Sequence, residues 1–304
     1  MPTLAEKEAA FKKVNNAMKP HTGRFVAAIY GCISRDDGEL LGSGTFLEVG
    51  GTTYLLTAAH VAEEGLKRYW KMACSTGNGL PPQILENPII CRGFPSDLAI
   101  TRVEPPPPTA PGRGNPHGPQ APSLVGIDVL PSGRFASELG TAETDVLYVH
   151  GFPGKYSRFL RLGNGVFSDS FPYGTCLGSS NYSWFNPSVH FAVEYPASGQ
   201  QDEFGKPATL PDPHGLSGSA LWKTNLNSVP VAAWSTDTAR VIGVVTTWDM
   251  DAQSLVVTRI EAVREFVLWA VRQERAYFNW LGRGQPNGDD WVDWFAARNQ
   301  LPDL

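Results

Sequence analysis

The sequence predicts an all-β fold of two small antiparallel barrels or sandwiches, with a short N-terminal helix and a C-terminal helical extension. Three observations lead to this prediction. Short β-branched and aromatic runs, separated by turn residues, recur between residues 25 and 257. These runs lie on both sides of a proline-rich stretch, residues 104–122, which divides them into two groups. At both ends of the chain the apolar residues recur at helical spacing instead.

The composition limits the class of protein. The chain has 304 residues, of which 42% are hydrophobic and 18% charged, so it is long enough to bury a sizeable core. The net charge of −5, without a long run of Lys or Arg, argues against a nucleic-acid partner. No segment reaches the roughly 18 apolar residues that span a bilayer, so we expect no membrane partner.

The cysteines and the first residues bear on cofactors and location. Four scattered cysteines form no C-x-x-C pair, which argues against a zinc site, and we expect neither a metal nor an organic cofactor. Residues 1–18 are charged and alanine-rich and lack the apolar core of a signal peptide. Free thiols without an export signal fit a reducing compartment, so the expected location is cytoplasmic.

The first 22 residues form the predicted N-terminal helix. Within residues 3–18 the apolar side chains of Leu4, Phe11, Val14 and Met18 recur at helical spacing among polar ones. This pattern favours a strap packed on the body of the protein over a helix that binds a partner. His21 follows in a polar segment, where we expect it to be solvated.

The first group of strands begins at residue 25 and contains a hairpin. Residues 42–49 and 53–57 are joined by a Gly-Gly turn, and the second of these strands is expected to end at His60. A histidine in that position is, taken alone, typical of a satisfied core residue. Asp97 stands directly before another apolar strand, where an aspartate either caps a turn or has a functional role.

The proline-rich stretch and the second group of strands follow. Residues 104–122 cannot form a helix or a strand ladder, and we expect an extended surface excursion there. After the last strand the spacing becomes helical again from Ile260 onward. The strands expected in the second group are residues 145–154, 159–167, 190–195, 218–223, 241–248 and 254–257.

A serine loop, residues 213–219, interrupts the second group, and we call it the nucleophile loop. Ser217 stands in the sequence Gly-Leu-Ser-Gly-Ser, immediately before an apolar strand. Glycines allow a tight turn that presents backbone N–H groups to a ligand. A serine in such a loop attacks a carbonyl when a base removes its proton and nearby N–H groups bind the oxyanion. The alternative is an ordinary Gly/Ser turn.

Three short motifs occur in the order His, Asp, Ser: Thr-Ala-Ala-His60, Asp97-Leu-Ala-Ile and Gly215-Leu-Ser217-Gly-Ser. In this order and strand context the chain, over residues 23–265, resembles the chymotrypsin/trypsin-like serine peptidases, of a bacterial, non-secreted type. The resemblance implies two antiparallel barrels and a catalytic triad. Ser217 would be the nucleophile, His60 the base and Asp97 the group that orients it. The N–H groups of Gly215 and Ser217 would form the oxyanion hole.

The same resemblance implies where a protein or peptide substrate binds. The strand that includes Thr246, Thr247 and Trp248 would pair with an extended peptide, and His214 would line the pocket. Trp248 would narrow that pocket and favour small or medium apolar side chains. The trypsin preference for Lys or Arg is not expected, because Pro211 stands where trypsin has its acid.

One departure from the family concerns activation. Leu216 stands where digestive members carry an aspartate, which pairs there with a newly cut N-terminus. A leucine cannot form that ion pair, so we expect no activation by N-terminal cleavage. The oxyanion hole would then be preformed or shaped by a partner.

The C-terminal tail, residues 266–304, reads as two helices around a Gly/Pro turn. Its Ala-Tyr-x-x-Trp, Gly-x-Pro and Asp-Trp pattern within residues 276–291 resembles a short bacterial helical domain of unknown function. Either the tail is an aromatic hairpin that caps the second barrel, or it docks a protein partner.

The sequence therefore predicts a serine endopeptidase that forms an acyl-enzyme. An alternative is a peptidase-like binding or sensor module with little or partner-dependent turnover. An esterase would share the same site and have less need of a peptide-pairing strand.

Overall fold

We describe the fold from a computed structural model of the chain. The structure describes residues 4–34, 37–76, 82–104, 128–141, 145–159, 166–196, 200–201, 207–285 and 290–299. Apart from Glu104, the predicted proline-rich excursion, residues 104–122, lies outside the described residues.

The first half of the chain forms a curled, seven-stranded antiparallel sheet in the order β5-β4-β1-β2-β3-β7-β6. Helix α2, Ala59–Arg68, begins directly after β3, so the chain leaves the sheet before His60 rather than after it. The expected end of this strand at His60 is therefore two residues too late. The strands are β1 Val26–Cys32, β2 Gly38–Val49, β3 Thr52–Ala58, β4 Lys71–Ser75, β5 Gln83–Ile84, β6 Ile89–Arg92 and β7 Leu98–Arg102.

The second half contains two short two-stranded ladders and a second curled, seven-stranded antiparallel sheet. The short ladders are β9 Ser157–Phe159 with β10 Val166–Ser168, and β14 Gln200–Gln201 with β15 Pro207–Ala208. The strands of the large sheet are β8 Leu147–Gly151, β11 Phe171–Thr175, β12 Leu177–Gly178, β13 His190–Glu194, β16 Ala220–Lys223, β17 Arg240–Asp249 and β18 Ser254–Arg259. They are arranged in the order β11-β8-β16-β17-β18-β13-β12.

Each sheet encloses a core of its own, and a third core lies where the sheets and the long helices meet. Ile29, Phe46 and Leu55 are buried inside the first sheet, because alternate residues of a strand point to the same face. A separate buried cluster fills the second sheet. The third cluster joins residues of both sheets with Val14 and Phe266 of the helices. The predicted fold class, two curled antiparallel sheets with helices at both ends, is confirmed.

Helix α1, Leu4–Gly23, packs against β8 and β11 of the second sheet. Val14 and Met18 are buried as predicted, whereas Phe11 is partly exposed. The helix ends at Gly23, five residues beyond the helical pattern of residues 3–18 and one residue beyond the predicted segment 1–22, and His21 and Thr22 near its end are also buried. The expectation of a solvated His21 is therefore wrong.

Two helices follow the second sheet: α3, Ile260–Gly282, and α4, Asp290–Asn299. Helix α3 starts at the predicted residue. Farther along it, the hydroxyl of Tyr54 on β3 donates to Glu274 Oε2 over 2.6 Å, so α3 reaches from the second sheet to the first. The guanidinium of Arg283 donates to Asp293 Oδ1 over 2.8 Å and holds α4 against α3. The tail thus contacts the first sheet, and does not cap the second barrel alone.

Candidate active site

The structure brings His60 and Asp97 into direct contact. His60 Nδ1 lies 2.7 Å from Asp97 Oδ2, and the backbone amide of His60 donates to Asp97 Oδ1 over 3.0 Å. His60 is in the first turn of α2, where amides lack partners within the helix and negative charge is favoured. The N-cap residue, Ala58, has no side-chain acceptor, so the Asp97 carboxylate caps the helix in its place.

The backbone at Asp97 adopts a left-handed conformation with φ of 48°. Aspartate tolerates this conformation better than most residues do, because its short side chain hydrogen-bonds locally. The turn is closed by the Asp97 amide, which donates to Gly93 O over 3.1 Å, and by Ala59, whose amide donates to Asp97 O over 3.1 Å. Backbone and side chain of Asp97 therefore both bind the start of α2.

The nucleophile loop requires glycine at two positions. Gly215 has φ of 97° and Gly218 has φ of 94°, values that residues with a Cβ rarely adopt. A Cβ at Gly215 would also overlap Phe152 O, and one at Gly218 would overlap Ser43 O. Glycine at these two positions therefore lets the loop turn tightly in close contact with other backbone.

Every backbone carbonyl from residue 213 to residue 217 accepts a hydrogen bond, so the orientation of each peptide plane in the loop is set. The donors come from the loop itself, from β2 and from the turn after β8. The bonds are Leu216 N to Pro213 O, Gly154 N to His214 O, Ser43 Oγ to Gly215 O, Ser219 N to Leu216 O and Ser43 N to Ser217 O.

The amides of the same loop divide into two sets. The amides of His214, Leu216 and Gly218 each donate to a protein acceptor. Within the described ranges, the amides of Gly215 and Ser217 have no acceptor. His214 O binds the amide of Gly154 over 2.8 Å, so the N–H of Gly215 on the opposite side of that peptide points away from Gly154. The two unpaired amides are those that the resemblance assigns to an oxyanion hole.

The hydroxyl of Ser217 is half-buried and donates to the carbonyl of Thr246 over 3.1 Å. The ladder between β17 and β18 has an irregularity here, since Val245 and Thr247 pair with consecutive residues and Thr246 is left over. Such a bulge redirects the backbone of the extra residue. In the part of the chain that the structure describes, no hydrogen bond joins Ser217 to His60.

The two halves of the candidate triad nevertheless meet at one residue of β2. A Cβ built on Gly42 would lie 2.7 Å from Val61 Cγ2 and 3.0 Å from Ser217 O. Val61 follows His60 in α2. The side chain of Val61, next to His60, and the backbone carbonyl of Ser217 therefore both pack against the same point of the first sheet.

Ser43 is a site residue that the sequence analysis missed. Its hydroxyl donates to Gly215 O over 2.6 Å and accepts from the amide of Phe152 over 2.8 Å, and its own amide donates to Ser217 O over 2.8 Å. One buried side chain thus joins β2, the turn after β8 and the nucleophile loop. A signal was present, because Gly42-Ser43-Gly44 places a hydroxyl between two glycines in an otherwise apolar strand.

Among the described residues, the predicted peptide-binding strand has an edge that is open only after Val245, whose amide donates to Ser219 O and whose carbonyl accepts from the amide of Gly218. β16 pairs with β17 only as far as Val244, whereas β18 pairs with β17 up to Asp249. Thr246 is buried and Thr247 is partly exposed at this edge. The indole of Trp248 packs against the core of the second sheet, and the carbonyl of Trp248 accepts from the hydroxyl of Tyr182 over 2.9 Å.

Of the residues just before Ser217, Asp212 and His214 lie on the surface, whereas Pro211 and Leu216 are buried. His214 is 85% exposed, with Nδ1 3.0 Å from Asp212 Oδ1, and the amide of His214 holds the pKa of Asp212 below its usual value. The buried carbonyl of Pro211 accepts from Tyr195. Leu216 is buried in the core of the second sheet, so its side chain anchors the loop from below.

Other features of the described residues bear on the expected chemistry. No group of three or more His, Cys, Asp and Glu side chains is placed to hold a metal ion in the described ranges. Cys32, Cys74, Cys91 and Cys176 are unpaired, and burial raises the pKa of Cys74 to about 12. None of the helices described combines the length and the apolar character needed to cross a membrane.

Comparison with known proteins finds similarity in the tail and among solved structures. No curated protein matches the chain. A solved structure described as "Aromatic interactions drive the coupled folding and binding of the intrinsically disordered Sesbania mosaic virus VPg protein" is 14% identical, with a TM-score of 0.40 over 79% of this chain and 87% of that one. A likeness at that level carries no argument about function. Residues 273–302 match the family model of a protein of unknown function, DUF2934, which is the similarity expected for the tail.

Proposed function

We propose that this chain is a bacterial, cytoplasmic serine endopeptidase that hydrolyses peptide bonds through an acyl-enzyme. One observation carries the proposal. Every backbone carbonyl from residue 213 to residue 217 accepts a hydrogen bond. Among the described residues, the only amides between residues 214 and 218 that lack an acceptor are those of Gly215 and Ser217. One of these amides belongs to Ser217 itself, and the other stands two residues before it in the same loop. Two N–H donors beside a nucleophile are what a tetrahedral oxyanion requires.

The His60–Asp97 pair supplies the proton chemistry in this proposal. Ser217 Oγ turns from Thr246 O toward Nε2 of His60, which has no partner among the described residues and takes its proton as Oγ attacks the substrate carbonyl carbon. The positive imidazolium is stabilised at Nδ1 by the Asp97 carboxylate, 2.7 Å away. The C–N bond then breaks, and His60 returns the proton to the leaving amine. Water, deprotonated by the same histidine, then attacks the acyl carbon; the bond from that carbon to Ser217 Oγ breaks, and His60 returns the proton to Oγ.

The oxyanion hole is preformed in this proposal. Gly154 N fixes the carbonyl of His214, Ser43 Oγ fixes that of Gly215, and the buried Leu216 anchors the loop. Each contact helps to fix the shape of the oxyanion hole, which in digestive members is fixed by an ion pair with a cut N-terminus. One donor of such a hole is typically worth roughly 3 kcal/mol of transition-state stabilisation. Reactivity that appeared only after a cut which buries a new N-terminus beside Ser217 would contradict this part of the proposal.

The substrate in this proposal is an extended peptide that adds to the open edge of β17 beyond Val245. Main-chain hydrogen bonds along such an edge give affinity, and side-chain pockets give specificity. The pocket bordered by Thr247, Trp248 and His214 takes small or medium apolar side chains. Cleavage profiling with a peptide library tests this preference, and a dominance of basic or large aromatic residues at the cut would refute it.

A second function has one observation in its favour. The hydroxyl of Ser217 donates to Thr246 O and not to His60, which fits a peptidase-like binding or sensor module whose turnover depends on a partner. Hydrogen bonds at catalytic sites often tighten only with substrate bound, so the geometry of the free protein is compatible with both functions.

A fluorophosphonate probe separates the two functions. The wild type should react at Ser217, Ser217→Ala should not react, and His60→Ala should react slowly. Loss of a triad residue typically lowers turnover by roughly 10⁴ to 10⁶. Ser219→Ala is the matched control, because Ser219 lies in the same loop, is buried, and its hydroxyl has no partner among the described residues. A folded wild type that resists the probe would favour the binding module.

The tail is proposed to bind a protein partner. Tyr277, Phe278 and Phe295 expose 47%, 40% and 52% of their surface on α3 and α4, and aromatic side chains are enriched at protein interfaces. Replacing the three by serine should abolish co-purification of a partner and leave probe labelling unchanged. Equal recovery of partners with both proteins would refute this role.

A further inference from the structure

The segment that carries Asp97 is held by the opposite sheet. The two residues before Asp97 each offer a carbonyl to a side chain of the second sheet. His190 Nε2 lies 2.6 Å from Pro95 O, and Thr258 Oγ1 donates to Ser96 O over 2.7 Å. These contacts link the segment of an aspartate in the first half of the chain to residues that lie 95 and 162 positions later.

The positions of these two donors are set by a single pair of opposing residues in the second sheet. His190 on β13 is directly opposite Thr258 on β18, so the sheet fixes their spacing. The amide of Asn186 donates to His190 Nδ1 over 3.1 Å, and Pro95 O can only accept. His190 is therefore the neutral tautomer with its proton on Nε2. The ring is 2% exposed and meets the edge of Trp184, so it cannot turn away.

The segment needs this support because its own packing is sparse. Gly93, Phe94 and Pro95 are all exposed, and Asp97 has a φ of 48°. A non-glycine residue in the left-handed region persists when the surrounding structure fixes it. On the side of the first sheet, two backbone hydrogen bonds bind the turn, to Gly93 and from Ala59. The next two carbonyls toward the N-terminus are bound from the second sheet.

We infer that His190 and Thr258 are positioning residues, which hold Asp97 so that its carboxylate meets His60. Neither touches the reacting atoms. Through them, the His60–Asp97 pair forms only when the two sheets are docked. The effect on catalysis rests on the proposed function. The effect on the His60–Asp97 hydrogen bond does not, and it is measured separately.

The test uses two readouts on the full-length protein. The first is the low-field NMR resonance of the His60 Nδ1 proton, assigned by its loss in His60→Ala. The second is the rate of fluorophosphonate labelling. Thr258→Val removes one donor and Thr258→Ser retains it, while His190→Leu and His190→Gln form a second such pair. Thr175→Val is the matched control, because Thr175 Oγ1 donates to Glu194 O over 2.7 Å in the same sheet, away from the Asp97 segment.

We expect Thr258→Val and His190→Leu to broaden or abolish the resonance and to slow labelling about 10- to 100-fold, since small displacements of a catalytic group cost that much. The serine and glutamine variants should recover most of both signals. Thr175→Val should change neither, even if its melting temperature falls as far. If Thr258→Val does not fold, the two His190 variants decide the question.

Three results would overturn the inference: an unchanged resonance in Thr258→Val and His190→Leu, the same loss in Thr175→Val, or a wild type without the resonance. A wild type that shows the resonance but resists the probe would refute the proposed function and leave the positioning role to be judged by the resonance alone.

Discussion

The hydroxyl of Ser43, on β2 of the first sheet, donates to the carbonyl of Gly215 over 2.6 Å and so fixes the nucleophile loop of the second half of the chain. The same oxygen accepts from the amide of Phe152. Because both partners are backbone groups, replacement of Ser43 leaves a carbonyl and an amide without their bonds.

Ser43→Ala should therefore slow fluorophosphonate labelling. Expressed as a free energy, this loss of rate should exceed the loss in free energy of unfolding. Each backbone group left unsatisfied costs about 1 to 3 kcal/mol, and the peptide after Gly215 is free to turn. Urea unfolding and labelling rates measure the two effects. Ser254→Ala is the control, since Ser254 is also buried and its hydroxyl bonds a carbonyl, that of Ala252, outside the nucleophile loop. Equal labelling by Ser43→Ala and wild type would show that this hydroxyl does not shape the loop.

Gly218→Ala should unfold the loop or the protein, whereas Gly51→Ala should be mild. Both glycines have positive φ, 94° and 76°, so both substitutions carry about 1 to 3 kcal/mol of backbone strain. Only at Gly218 does the new Cβ overlap backbone, the carbonyl of Ser43, while nothing lies within 4 Å of a Cβ at Gly51. Thermal unfolding of the two variants isolates the overlap. Equal losses of stability would mean that the overlap with Ser43 O adds nothing to the cost of backbone strain at Gly218.

Stability should fall on acidification between about pH 6.5 and pH 4. Burial lowers the pKa of His150 to about 4, and burial, followed by the charge of Arg24, lowers the pKa of His21 to about 4. Unfolded histidines titrate near 6.5, so in this window the unfolded chain binds more protons than the folded one. The free energy of unfolding then decreases as pH falls, by at most about 1.4 kcal/mol per pH unit for each histidine.

The position of His150 makes this prediction specific. Its Nδ1 lies 2.7 Å from Thr22 Oγ1 and its Nε2 lies 2.8 Å from Ser170 Oγ, so the ring connects α1 to the second sheet. His150→Gln should reduce the slope of unfolding free energy against pH by about one proton. A slope that stays the same in the variant would show that His150 is not protonated on unfolding.

Tyr54→Phe should destabilise the protein, and Tyr148→Phe should not. The Tyr54 hydroxyl donates to the buried Glu274 over 2.6 Å, and a hydrogen bond to a charged group is worth about 1.5 to 3 kcal/mol. The Tyr148 hydroxyl is equally buried but has no partner among the described residues. Its removal should therefore be neutral or slightly stabilising. Urea unfolding distinguishes the two, and equal effects would indicate that Tyr54 contributes only its ring.

The local parts of the candidate site could be predicted from the sequence, and the parts made by distant residues could not. The glycines around Ser217 act within a few residues, so their pattern is visible in the chain. The helix that contains His60 is capped by Asp97, 37 residues later, and not by Ala58. No local signal therefore marked the start of this helix, and His60 was expected at the end of a strand. Ser43 was missed for the same reason, since its three partners lie more than a hundred residues away.

The helices show the same limit. His21 was expected in solvent because its neighbours in sequence are polar, yet its ring packs on Phe25 and Trp222. The tail was considered as a cap for the second barrel, but α3 is 23 residues long, enough to pass from one sheet to the other. In both cases tertiary contacts decide the environment, and the local pattern does not contain them.

The length of α3 also decides how the protein should be shortened. The DUF2934 match begins at residue 273, in the middle of the helix, and the contact of Glu274 with Tyr54 lies just beyond that point. Truncation at the boundary of the match would cut the helix and free Tyr54. A cut within residues 283–289 would remove α4 and keep the contact of α3 with Tyr54, and is the better design for separating the two-sheet body from α4.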